Sequence, residues 1–497
     1  MIWTSLVVAA SLVACGPRSG AKGPSSPVDV GAYAALRWVP ADATYVVAAR
    51  STEDATVVLR EMINVVGILI DADADAAASA MRRELGFDIL SGGSLADIGV
   101  DRDGGAAVFS QGLSPTVAVK LSDPARVTEL IDRLREGGAA VQVERRGGVE
   151  IFTYNDSEAR LHWAIADGWL WVHVELVGEK EVDGAWFDAL RSAGGAMAAQ
   201  ADWKAALSAA TRRIRGATVA PDGPPVAGVI RTPALADRIV RLGAPAACLG
   251  QASRATRILL AIGVTGVDAV AAFTVELGDA APGMAALIRP PMPGWAKARG
   301  EAPIQAEWSL DLAGVTEALR ACDGGVSARA VTDDGFHTVR LFLHGIDMDN
   351  LSARGAAHLD LGHRRKISEF LDQLPARRLV ERKVKIGPFD GASVQVPMLP
   401  PFTYVLTDTL FLAGVDLDLS AVVGAGSPAA STSAAHLELH PNALPAATWD
   451  GLLEQVRSYD EARKRMVRRL QRWDLGRIDL DLDGTELVLT AHGRLRK

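Results

Sequence analysis

TVAVKLSDPARVTELIDRL, residues 116–134, returns at residues 356–374 as AAHLDLGHRRKISEFLDQL, at an offset of 240 (367 − 127 and 374 − 134). Val127, Leu130, Ile131 and Leu134 meet Ile367, Phe370, Leu371 and Leu374, while Glu129 and Asp132 meet Glu369 and Asp372. Each stretch reads as a short strand followed by an amphipathic helix, because apolar residues recur at helical spacing after an apolar run. Asp123 is placed to cap the first helix, over 124–136, and Gly137-Gly138 to end it.

The echo continues. AIADGWLW at 164–171 has a counterpart in YVLTDTLF at 404–411 (408 − 167 = 241). Arg257-Ile258-x-Leu260-x-Ile262 matches Arg477-Ile478-x-Leu480-x-Leu482, each entering a hairpin. An ordered series of matches at slowly drifting offsets reads as repeated structure. The expectation is therefore α+β: two related copies, each of antiparallel β-meanders packed with amphipathic helices. The divisions expected are a signal peptide 1–14, a tether 15–35, a first repeat domain 36–278, a Pro/Gly-rich linker 279–300 and a second repeat domain 301–497. Further helices are expected at 53–70, 74–85, 364–373 and 448–473, with strands in the meanders 140–174 and 380–414. Residues 258–275 hold one charge, Asp268, and have the length of a membrane span. Gly263, Gly266 and Asp268 mark a central turn, so the segment reads as a buried hairpin.

With 49% hydrophobic residues the chain can build large cores, and its net charge of −8 is spread with acids and bases interleaved. That pattern excludes the basic face a nucleic-acid partner needs. Leu6–Leu12 form an apolar run far shorter than the roughly 20 residues that span a bilayer. The run ends in Leu12-Val13-Ala14-Cys15-Gly16, and no Lys or Arg precedes Cys15. This pattern resembles the lipobox of bacterial lipoproteins. The resemblance implies cleavage before Cys15, acylation of the Cys15 sulfur and amine, and a place in the cell envelope, at the outer membrane facing the periplasm. Residues 16–32, GPRSGAKGPSSPVDVGA, have the composition of a flexible tether. Trp38–Ala43 (WVPADA), Leu85–Asp88 (LGFD) and Ile98–Asp101 (IGVD) resemble segments of a broad set of secreted bacterial proteins and lipoproteins, a set that brings no assigned chemistry.

The other two cysteines, Cys248 and Cys322, form a disulfide in an oxidising compartment or remain two buried thiols. The metal candidate is His436-Leu437-Glu438-Leu439-His440: alternation on a strand puts both imidazoles and the carboxylate on one face, and all three are zinc ligand types. The plainer reading makes that face the solvent side, with Leu437 and Leu439 in the core. His358, Asp360 and His363 form a second, weaker set, and Asp479-x-Asp481-x-Asp483-Gly484 begins like a calcium loop but has Thr490 where the closing Glu belongs. No phosphate-loop, zincin or nucleophile-elbow pattern occurs. The function expected is a lipid-anchored, non-enzymatic binding or scaffolding protein, its partner a protein or small ligand. The alternatives are a zinc-dependent hydrolase using His436, Glu438 and His440, and a periplasmic lipid carrier.

Overall fold

A computed structural model describes residues 30–70, 74–136, 140–155, 159–176, 185–192, 203–204, 207, 214, 224–241, 255–265, 268–314, 336–347, 352–373, 380–395, 401–426, 432–446, 448–450, 453, 464, 467–468 and 470–495. Cys15, Cys248, Cys322 and most of the expected tether lie outside them. The described chain divides into two units, one ending at Glu276 and one beginning at Leu277.

The first unit holds strands β1 (Tyr45–Ala49), β2 (Ala106–Ser110), β3 (Thr116–Lys120), β4 (Val141–Arg146), β5 (Val149–Asn155), β6 (Ala159–Ala166), β7 (Trp169–Leu176), β8 (Val226–Ile230), β9 (Arg257–Thr265) and β10 (Asp268–Glu276). They pair in the order β4-β5-β6-β7-β3-β2-β1-β8-β9-β10, always antiparallel. Its helices are α1 (Thr52–Ile70), α2 (Ala74–Leu85), α3 (Gly92–Asp97), α4 (Pro124–Glu136), α5 (Ala185–Ser192) and α6 (Thr232–Arg241). The turn into β7 shows why its residues are there: Asp167 and Gly168 both take positive φ, 55° and 73°, the mirror-image turn that suits strand twist.

One row of side chains crosses this sheet: Ala272, Ala261, Ala227, Ala48, Ala107, Ala118, Trp171, Ala164 and Ile151, each facing the next across a strand pair. All are buried. Small residues here leave room for large ones above them, namely Tyr33, Leu36, Trp38, Phe187 and Leu190. Trp38 packs edge-on to Trp171 with ring centroids 4.9 Å apart. Tyr33 and Leu36 fall in or beside the expected tether, yet both are core residues. Burying an apolar side chain of that size contributes about 1.5–3 kcal/mol, so the body starts before residue 36. On the opposite face, Val127 and Ile131 of α4 pack on Phe152, Val119, Ile165 and Leu170.

The second unit holds β11 (Ile304–Trp308), β12 (Phe336–Asp347), β13 (Ser352–Leu361), β14 (Val380–Ile386), β15 (Phe389–Gln395), β16 (Phe402–Leu406), β17 (Leu410–Val415), β18 (Ser433–Leu439), β19 (Trp473–Asp483) and β20 (Glu486–Leu495). The pairing order is β14-β15-β16-β17-β13-β12-β11-β18-β19-β20, again antiparallel throughout and position for position the order of the first unit. Helices α7 (Ala281–Ala286), α8 (Trp295–Arg299), α9 (Arg365–Gln373) and α10 (Leu419–Val423) are among its described elements. The stretch 279–300, expected as a linker, packs into this unit: Trp295 is 1% exposed and meets Phe342 edge-on at 4.9 Å. Gly294 permits that seat. A Cβ there would come within 1.9 Å of the Ala421 carbonyl oxygen, and its own N–H donates to the Val422 carbonyl at 3.1 Å.

The α+β class expected from the sequence is overturned. The fold is mostly antiparallel sheet, with strand outweighing helix. The physical reason lies in the strand pairing, which runs continuously through the ten described strands of each unit. The helices add to those sheets without interrupting the strand order. No helix among the described residues is long and apolar enough to cross a membrane.

Candidate functional site

The row of the second unit that corresponds to the alanine row reads Thr490, Asp479, His436, Glu307, Arg340, His358, Leu412 and Val405. Acidic and basic residue types alternate from strand to strand: Asp479, His436, Glu307, Arg340. Opposite charges directly across a strand pair attract, so the order itself supports the register. Where the first unit has alanines, this unit has buried polar groups, and each must find a partner.

His436 and Glu438 project from β18 between β11 and β19, and His440 follows at its end. His436 is 8% exposed, whereas Leu437 is 39% exposed. The expectation that His436, Glu438 and His440 share a face therefore holds, but the polar face is the buried one. His436 Nδ1 lies 2.6 Å from Asp479 Oδ1 and Nε2 lies 3.1 Å from Gln305 Oε1. Gln305 Nε2 donates to the Ala302 carbonyl at 2.8 Å, which turns the amide oxygen toward the imidazole. Glu438 accepts from His440 Nε2 at 2.6 Å and stands 3.3 Å from Arg477 Nε, which also donates to Asp479 at 3.0 Å. Burial alone would raise the Asp479 carboxyl, but the His436 hydrogen bond and the Arg477 charge hold it below the usual carboxylate range.

This geometry does not fit zinc. Both His436 nitrogens face acceptors, and Glu438 is shared between an imidazole and a guanidinium, so no set of lone pairs converges on one point. Among the described residues no group of three His, Cys, Asp or Glu side chains is arranged to hold a metal. The calcium-loop reading also ends here, since Asp479 sits within a strand and faces His436.

A second cluster continues the row. Arg340, fully buried, donates to Thr338 Oγ1 at 2.9 Å, to Asp360 Oδ2 at 3.1 Å, and to the Arg289 carbonyl at 2.6 Å. Its Nε lies 3.3 Å from Ser309 Oγ, and Thr338 also donates to Asp360. His358 is 3.4 Å from Asp360 and lies under Trp295. Burial would raise the Asp360 carboxyl, yet His358, Thr338 and Arg340 together hold it well below the usual range. Beside it, Asp311 pairs with Arg289 and with His337 Nδ1 at 2.7 Å, and is likewise lowered despite burial. His363, expected with His358 and Asp360, instead lines an open hollow of about 500 Å³ at the start of α9 with Arg364, Arg365, Glu369, Asp372 and Asp408. Arg364 and Arg365 pair there with Asp408 (3.5 Å) and Glu369 (3.7 Å), so the hollow offers no field of one sign.

Sequence reading missed Gln305, Arg340 and Arg477 as partners. Gln305 is 131 positions from His436, and only the strand register joins them. A signal was present in Arg340 and His358, which break apolar strands.

No family model matches the chain, and no curated protein does. Solved structures of TP0453 in crystal forms I and IV are similar over 52% and 53% of this chain and 81% and 86% of that one. Their identities are 11% and 10%, each with a TM-score of 0.26, too low to tie the folds together.

Proposed function

We propose that this is a lipid-anchored cell-envelope protein with a non-enzymatic binding or scaffolding role. The observation that carries the reading is Leu12-Val13-Ala14-Cys15 at the end of a short apolar run, followed by the Gly/Pro/Ser-rich stretch 16–32. Acylation at both the sulfur and the amine of Cys15 would supply more than one chain, and stable anchoring needs that, because a single acyl chain binds a membrane only marginally. The polar clusters of the second unit add support. His436, Asp479, Arg340 and His358 are buried and each has a polar partner, His436 with Asp479 and both Arg340 and His358 with Asp360, an arrangement suited to holding a sheet in register.

Detergent phase partition of the full chain, expressed in a bacterium with its own N-terminus, tests this. The protein is expected in the detergent phase and Cys15→Ser in the aqueous phase. Equal partition of the two into the aqueous phase would overturn the proposal.

A further inference from the structure

A histidine pair, His173 buried and His162 half-buried, lies under α5 of the first unit. His162 of β6 faces His173 of β7 across one strand pair, flanked by Thr153 of β5 and Thr116 of β3 in the same row. The two imidazole centroids are 5.9 Å apart. Trp186 of α5 covers both, stacked on His173 at 5.2 Å with planes 5° apart and 6.0 Å from His162. His173 and Trp186 are 2% and 8% exposed.

Each imidazole has a threonine hydroxyl beside it. Thr153 Oγ1 and Thr116 Oγ1 lie 2.9 Å from the Nδ1 atoms of His162 and His173, where each hydroxyl can donate to a ring lone pair. His162 Nε2 then donates to Glu175 Oε2 at 3.3 Å, and Arg160 already takes part of that carboxylate at 3.2 Å. From the elements packed around the pair, the charged groups that face it among the described residues are Glu175 and Arg160. The charges of α5 itself point elsewhere, Asp188 to Arg146 at 3.3 Å and Arg191 to Asp167 at 3.1 Å. A proton on His162 therefore adds a cation beside a second imidazole, under an indole, with one shared carboxylate to answer it.

We infer that His162, His173 and Trp186 form a proton-sensitive clasp that holds α5 to the sheet at neutral pH and loosens it in mild acid. Desolvation lowers the His162 pKa from its ordinary value, only partly offset by Glu175, which agrees in direction. A histidine lowered in the folded state contributes stability that is complete above its unfolded value, about 6.5, and is lost as pH falls from there to the lowered folded value. Phe187 and Leu190 of the same helix are core residues that still favour the closed position, so the effect is a shift in local opening and not loss of the unit.

Hydrogen exchange of the full chain by mass spectrometry, compared at pH 7.5 and 5.5 after correction for intrinsic rates, tests the clasp. Residues 185–192 are expected to exchange at least roughly threefold faster at the lower pH, with 336–361 unchanged, since linkage changes an opening constant by up to tenfold per pH unit. His162→Gln should abolish the pH effect. Glu175→Gln, which removes the group that favours the charged ring, should move its midpoint to lower pH. Unchanged protection of 185–192 in the wild type would overturn the inference, as would a pH effect that persists in His162→Gln. Should His162→Gln lose protection of β6 and β7 at pH 7.5, the direction of the Glu175→Gln shift decides: an unmoved or raised midpoint overturns the inference.

Discussion

Arg340→Ala removes one member of a buried charge pair and leaves Asp360 without its guanidinium. Breaking such a pair from one side costs about 3–5 kcal/mol, because the remaining charge stays desolvated. The Asp360 side chain keeps 24% exposure, so water reaches it and the low end, about 3 kcal/mol, applies. The Arg289 carbonyl and Ser309 hydroxyl also lose a donor, adding up to about 1 kcal/mol. The sum, about 4 kcal/mol, corresponds to an opening constant raised roughly 700-fold. Native-state hydrogen exchange in low urea, read on peptides within 336–361, measures it directly, and peptides of β1 to β3 should not respond. The paired variant Arg340→Met, Asp360→Leu should recover more than half of the loss, since no charge is then left alone. A cost below about 1 kcal/mol for Arg340→Ala, or a paired variant as damaged as the single one, would refute the claim that this contact is a desolvated ion pair.

Three further outcomes follow from the same geometry. Asp360, Asp311 and Asp479 are lowered in the folded state, so their stability contribution is present above the ordinary carboxylate value, about 3.9, and is lost as pH falls from there toward their lowered folded values; exchange protection of 304–308 and 336–361 should drop progressively below about pH 4. Leu437→Ser should change stability by less than about 1 kcal/mol, because the side chain already faces outward, while Phe342→Ala should cost about 3–5 kcal/mol; urea titration of both variants checks the order. Protein purified in the presence of zinc should carry no stoichiometric metal by elemental analysis, and one equivalent that His436→Ala removes would contradict the closed ion-pair reading of that cluster.

Local chemistry was legible in the sequence; long-range pairing was not. The helix 124–136 and the hairpin 257–276 occupy the expected residues, because caps, Gly turns and periodicity act within a few positions. The strand β8, VAGVI at 226–230, escaped notice although it is central, paired with both β1 and β9. Five residues without alternation give no local sign of a strand buried on both sides. The α+β expectation failed for a related reason: visible helices were weighted equally with hairpins, while the pairing that joins the hairpins into sheets leaves no mark in any one segment. At the candidate site, alternation correctly grouped His436, Glu438 and His440. It could not say which face was buried, since that is decided by Gln305, Arg477 and Asp479 arriving from other strands. The usual assumption that leucine faces the core is reversed at Leu437.

The claim that a lipid on Cys15 ties the protein to the envelope is tested most directly by the mass of the mature N-terminal peptide. Mass spectrometry of the protein made in a bacterium from its own start should show a chain beginning at Cys15, with residues 1–14 removed and acyl chains on that cysteine. A mature chain that keeps residues 1–14, or a Cys15 bearing a free thiol, would contradict the account.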